Sequence, residues 1–309
     1  MTRIMHVDWQ GTGMRVGSGL NQFTGEREMD GRWKTIRAAD AGLMTVVLAA
    51  ALLAVSGPLV RGREGAKRAL CSVNLKKYHA AMAGYLADNE ERYCDPLRCV
   101  VDQTRLTQLG IAGPCQWHDR RASPTIEGNG GQLWPYMQTQ EIMICETFRQ
   151  YVLLFSGPYC RLHHHANALI EPQYSYSQNF FLGGSSSLGG PYGVLKEWEV
   201  VEPARTLVFT EETPWLIPGL ARWTLNDTCF FARHPSDPIA HGDTIATFHG
   251  TTPGKRDYGR GNAVFVDGHV ELCDPWVRHP IEGGLYVTES FYLAWPKGKV
   301  FTQAIPYVP

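Results

Sequence analysis

The chain of 309 residues lacks an excess of either charge: 29 Lys and Arg stand against 30 Asp and Glu, and no long stretch gathers the basic residues. That excludes the electrostatic footprint of a nucleic-acid binder. Paired C-x-x-C knuckles are missing among the eight cysteines, at 71, 94, 99, 115, 145, 160, 229 and 273, which argues against a zinc ribbon and leaves disulfides for an exported domain. There is no G-x-S-x-G nucleophile elbow. A His249, Asp267 and serine triad therefore has no turn to present its nucleophile, and we expect no enzyme. Internal repeats are absent too. GTGMRVGSG, residues 11–19, lacks the G-K-[ST] ending of a phosphate loop and follows no apolar strand, so residues 1–36 read as a flexible N-terminal segment.

What the chain does have is one long apolar run. Residues 41–60, AGLMTVVLAAALLAVSGPLV, carry no charge. At 1.5 Å per residue, such a run covers about 30 Å, the thickness of a bilayer core. A cleaved secretory signal is the alternative, but the run starts late and Gly57-Pro58 does not resemble a small-x-small cut. We expect a retained single-pass anchor. Beyond Pro58, Leu70, Val73, Leu75, Tyr78, Met82 and Tyr85 recur at three- and four-residue steps. The spacing predicts one helix over 37–92, apolar all round in its first half and amphipathic in its second. That stripe needs a cover, most simply a sheet folded from 93–309. The expected fold class is α+β, a long N-terminal helix packed on a mainly antiparallel β-sheet with long loops.

Near the end, GNAVFVDGHVELC, residues 261–273, alternates apolar and polar positions on both sides of Asp267-Gly268. This reads as strand, turn, strand. The Asp-Gly pair suits a type I′ hairpin, in which both central residues take positive φ.

Several segments together resemble a known group. LVRGREGAKRALCSVNLKKYHAAMAGYLADNEERY is similar to the exposed half of the N-terminal helix in type IV pilin-like and type II secretion pseudopilin-like proteins of the prepilin-type group with a C-terminal H-X9-DG motif. Cys71, Asn74, Leu75, Lys76, Tyr85, Asp88 and Asn89 fall in step with it. LWPYM at 133–137 followed by Cys145 resembles the group's W-P-Y-L then C-P element, with Glu146 in place of proline. SYSQN at 175–179 and EPARTLVFTEE at 202–212 resemble its next two strands. The quoted hairpin matches its last segment through Asn262, Phe265, Asp267, Gly268, His269 and Val270. The motif histidine is His249, with 17 residues before Asp267 rather than nine, so a loop such as TTPGKRDY is inserted.

The resemblance implies a pilin-like fold and a structural role, as a minor subunit of a type II secretion or type IV pilus-like assembly. It also implies an inner-membrane location, a periplasmic or extracellular C-terminal domain, and partners that are pilin-like subunits. His249 bonding to a turn-capping Asp267 is part of that expectation. The processing site departs from the group: Ile36, Arg37 and Ala41 stand where Gly, an aromatic or Met, and Glu are expected, with Asp40 one position off and Gly31 a poor cut site. An uncleaved N-terminus follows.

Two ion sites can be drawn. Glu211, Glu212, Asp267 and Asp237 offer oxygen ligands for calcium, and residues 160–165, CRLHHH, offer sulfur and imidazole on what reads as an exposed loop. A second function class is an anchored extracytoplasmic binding module, with loops around Trp117, Trp134, Trp215 and Trp223 holding a carbohydrate or peptide.

Overall fold

The computed structural model describes residues 38–298 apart from 112, 138, 157–168, 184–192, 221–223, 233–241, 252 and 281–285. Residues 1–36, the positions Gly31, Ile36 and Arg37, residues 160–165, Trp223 and Asp237 lie outside the described residues. The chain divides into two compact units, Met1–Ala54 and Val55–Pro309. In the first, the described residues belong to the beginning of helix α1, Ala38–Asp88, and expose Met44, Val46, Val47 and Leu48.

In the second unit, the part of α1 from Gly62 onward sets one stripe inward. Cys71, Leu75, Tyr78, Met82 and Leu86, spaced four, three, four and four residues apart, are buried, while Leu70 and Val73 point to solvent. The helix ends where Glu90 and Glu91 take positive φ and the Glu91 N–H closes on the Leu86 carbonyl at 2.9 Å. Two short helices follow, α2 (Gln103–Gln108) and α3 (Trp134–Met137), and then α4 (Glu146–Ser156).

Under the stripe lies a five-stranded sheet built from β1 (Tyr176–Asn179), β2 (Leu207–Glu211), β3 (Cys229–Phe230), β4 (Gly261–Phe265) and β5 (Val270–Cys273). Its order is β3-β1-β2-β4-β5. Every residue of β1, β2 and β4 is buried, because both faces are covered. On one face Tyr78 of α1 meets Tyr176 and Phe209, ring centroids 5.3 and 5.0 Å apart. On the other, Phe291 and Ala294 of α5 (Glu289–Ala294) share a cluster with Leu207, Phe230, Ala263 and Phe265. A separate ribbon of β6 (Arg278–Pro280) and β7 (Tyr286–Thr288) leads into α5, whose first turn is capped by the Thr288 hydroxyl.

The expected fold class needs correction. The sheet is mixed: β3 runs parallel to β1, because the long segment between β2 and β3 carries the chain back to the β1 edge instead of turning directly. The anchor is corrected as well. Among the described residues no helix is long and apolar enough to cross a membrane, so the single-pass inner-membrane placement and an anchor-bearing long helix are not what the fold presents.

The β4–β5 hairpin is present, with Val264 opposite Val270. Its turn differs from type I′: Gly268 takes positive φ (87°) and Asp267 does not. Val266, Asp267 and Gly268 form a three-residue connection closed by the Phe265 N–H on the His269 carbonyl at 3.0 Å and by the Gly268 N–H on the Phe265 carbonyl at 2.9 Å. One left-handed residue is enough for that loop length, and glycine provides it.

Candidate functional site

Residues from several of the segments that carry the resemblance meet at one buried point. Cys71 comes from α1, Cys145 from the residue before α4, Glu211 from the end of β2 and Asn262 from the start of β4. His249 lies on a short segment paired with Arg260, each N–H reaching the other's carbonyl at 2.9 Å. Gly259 allows that approach, since a Cβ there would sit 2.1 Å from the Thr247 carbonyl oxygen.

Glu211 organises the node. Its Oε2 accepts from the Asn262 backbone N–H at 2.7 Å and from Asn262 Nδ2 at 2.9 Å, and its Oε1 lies 3.0 Å from His249 Nε2. The other imidazole nitrogen, Nδ1, is 3.3 Å from Glu64 Oε1 on α1. Cys145 Sγ stands 3.5 Å from His249 Nε2 and 2.7 Å from Cys71 Sγ. Behind it, the Cys145 N–H donates to Ser175 Oγ at 2.8 Å. Cys71, Cys145, Glu211 and His249 are each fully buried.

Electrostatics follow from that enclosure. Burial by itself disfavours the imidazolium, but the Glu211 carboxylate, helped by Cys71 and Glu64, outweighs it and pushes the His249 pKa up to about 12. Burial likewise works against the Glu211 carboxylate, and the His249 charge together with the Asn262 N–H groups holds it below the usual range. His249 and Glu211 are thus an ion pair at neutral pH. Of the two thiols, contact with Cys145 draws Cys71 down, whereas burial pushes Cys145 up.

On the neighbouring residue the outcome reverses. Glu212 faces away from His249, accepts a 2.7 Å bond from Ser177 Oγ, and is pushed well above the carboxylate range by burial and by Asp243 and Asp227. Asp227, equally enclosed, is pushed up by burial to about 6.

Asp267 is elsewhere. Residues 262–267 run along β4 and into its turn, about 16 Å at strand rise, so the end of β4 that meets His249 is far from the end that holds Asp267. The expected His249–Asp267 bond is therefore not formed. Asp267 Oδ1 instead accepts from His269 Nδ1 at 2.6 Å and from the His269 N–H at 3.2 Å, with both side chains about 40% exposed. The His269 ring stacks on Phe265, centroids 4.2 Å apart. His79 Nε2 of α1 lies 3.0 Å from the Val266 carbonyl oxygen, so the turn serves as a docking point for the helix.

Asn74 and Leu75 are buried on the inward face of α1. The expected calcium carboxylates are not gathered: Glu211 sits in the node, Glu212 on the opposite side of its strand, and Asp267 at the turn. Among the described residues, the donor atoms of Cys71, Cys145, Glu211 and His249 all lie within 4.8 Å of one another. Two sulfurs, an imidazole and a carboxylate are chemically suited to a zinc-type ion. Trp117 and Trp215 are core residues, packed on Phe148 and Phe248, and Trp134 is half-buried, so these three form no exposed aromatic cleft.

Sequence reasoning passed over Glu64 and the roles of Cys145 and Glu211. Glu64 precedes Cys71 by seven residues, two helical turns, which puts both on one face. A charged residue two positions after the apolar run Leu207-Val208-Phe209, on the same face as Phe209, was the available signal for Glu211. Compared with family models, with curated proteins and with solved structures, the chain matches none.

Proposed function

We propose that the chain is a pilin- or pseudopilin-like structural subunit and not an enzyme, with α1 as the element through which copies or related chains associate. The observation that supports this reading is the enclosure of the node: the segments that carry the resemblance converge through Cys71, Cys145, Ser175, Glu211, His249 and Asn262, all fully or nearly fully buried. A catalytic or ligand-binding constellation has to admit a substrate. This one ties a helix to a sheet. Its ion pair and hydrogen bonds are satisfied internally, which is the work of a folding element. The face of α1 that carries Leu70 and Val73, about half exposed, remains outside the node and is the surface offered for association.

The test is site-specific photocrosslinking. A benzophenone amino acid at Leu70 or Val73 of the full chain, irradiated in the cells that produce it, is expected to give covalent multimers or adducts with related subunits. Equal crosslinking from the exposed control position Glu127, or monomer alone at both helix positions, overturns the reading.

A further inference from the structure

Cys71 and Cys145 are far apart in sequence and adjacent in space, separated by 74 positions and by 2.7 Å between sulfurs. We propose that these two cysteines are joined by a disulfide in the mature protein, a covalent tie between α1 and the segment entering α4. The inference goes beyond the structural-subunit reading and stands or falls separately from it.

Geometry decides between the two chemistries open to this cluster. Sulfurs each about 2.3 Å from a tetrahedral zinc lie about 3.8 Å apart, so a metal would require this pair to open by about 1 Å. At their actual separation no ion fits between them, whereas a bond of about 2.05 Å needs only a small closing movement. The imidazole points the same way. His249 Nε2 lies 3.0 Å from Glu211 Oε1 and Nδ1 lies 3.3 Å from Glu64 Oε1, so each ring nitrogen is already engaged by a carboxylate. The chain already contains one disulfide, Cys94–Cys99, so it matures under conditions that oxidise its thiols.

The oxidant is a disulfide donor, either a small-molecule disulfide or a dithiol–disulfide oxidoreductase. As α1 docks, the Cys71 thiol gives up its proton to water, and the thiolate attacks one donor sulfur and expels the other as a thiolate. Cys145, giving its proton to that departing thiolate, then attacks the Cys71 sulfur and releases the second donor sulfur as a thiolate, which takes up a proton from water in place of the one Cys71 lost. Two cysteine thiols lose two electrons and two protons, and the donor gains both as two thiols. Once formed, the bond lies beneath α1 with both sulfurs inaccessible, which shields it from exchange.

Peptide mapping of the full chain tests this. Protein purified without reductant is denatured in N-ethylmaleimide, digested with trypsin and weighed, while bound metal is measured on the same sample. The expected result is ALCSVNLK, residues 69–76, linked through Cys71 to the peptide containing Cys145, in most molecules and with no stoichiometric metal. Both cysteines recovered as maleimide adducts overturn the proposal, and one zinc per chain in that sample assigns the cluster to a metal instead. A second measurement uses the Cys94→Ala/Cys99→Ala background to isolate this bond. Reductant is expected to lower the melting temperature by about 10 °C there, and to leave the additional Cys71→Ala/Cys145→Ala variant unmoved. An unchanged melting temperature in the first background overturns the proposal. Crosslinking at Leu70 reports on association alone, so its failure leaves the peptide map unaffected.

Discussion

Glu211 and Glu212 are adjacent in sequence, equally buried and chemically identical, yet they hold opposite states. Glu211 faces α1, meets the His249 imidazole and the Asn262 donors, and stays ionised; Glu212 faces the other way, meets Asp243, Asp227 and one serine hydroxyl, and keeps its proton. Burial penalises both carboxylates. The sign is set by the first neighbour that the strand's alternation supplies: a cation on one side, further acids on the other. A third carboxylate, Asp267, completes the contrast. It too has a histidine partner, but in solvent, where such a pair contributes little.

The strongest way to break this comparison is to remove Glu211. Glu211→Leu leaves the His249 charge enclosed and the Asn262 donors unpaired, and should cost about 3–5 kcal/mol by chemical denaturation. A loss under about 1 kcal/mol would mean that the ion pair is not the organising contact. The companion change, Glu212→Gln, should act in the opposite direction. A carboxyl whose folded pKa is raised contributes stability that is fully present below its unfolded value near 4.5 and is lost as pH rises through the folded value. Glu212→Gln keeps an acceptor for Ser177 and removes that loss, so it should stabilise the protein by about 1–2 kcal/mol at pH 8 and by nothing at pH 4. A gain independent of pH would refute the protonated state.

The node itself should be insensitive to pH across the neutral range. The stabilisation from His249, raised to about 12, is present below about 6.5 and lost only as pH climbs towards 12; that from Glu211, depressed, is present above about 4.5 and lost as pH falls below it. Among the described residues, Asp227 and Glu212, both raised by burial, contribute a slope in the opposite direction from Glu211, with stability declining as pH rises above about 4.5. Melting curves of wild type and of Asp227→Asn across that range should separate the two sources.

Smaller effects are expected at the turn. Gly268→Ala places a side chain at φ 87° and 3.0 Å from the His79 ring, and should cost about 1–2 kcal/mol by weakening the dock of α1. Asp267→Ala removes only a solvent-exposed pair, and its cost should stay below about 1 kcal/mol. If the exposed Asp267 proved as costly as the buried Glu211, burial would not be what separates the two carboxylates.

Much of the local structure was legible. The β4–β5 hairpin follows from alternation around Asp267-Gly268, and the inward stripe of Cys71, Leu75, Tyr78 and Met82 follows from helical spacing. The turn type was less so, because an Asp-Gly pair serves both two- and three-residue connections, and only the pairing register distinguishes them. The parallel return of β3 had no signal, since a two-residue strand is too short to show a period. The membrane span was read from a run of uncharged residues, and no helix among the described residues is long and apolar enough to bear it.

By itself, then, the sequence determined what neighbours along the chain can decide: where a strand must bend, which face of a helix is apolar, which residues carry titratable groups. The resemblance presented His249 and Asp267 as partners, because both belong to its last motif. Only the tertiary structure decided otherwise, giving His249 to Glu211, 38 positions away, and to Glu64, 185 positions away. The physical reason is that a buried charge is neutralised by whatever packing places within about 3 Å of it, and packing is set by the covering of the sheet's two faces, which no local pattern records.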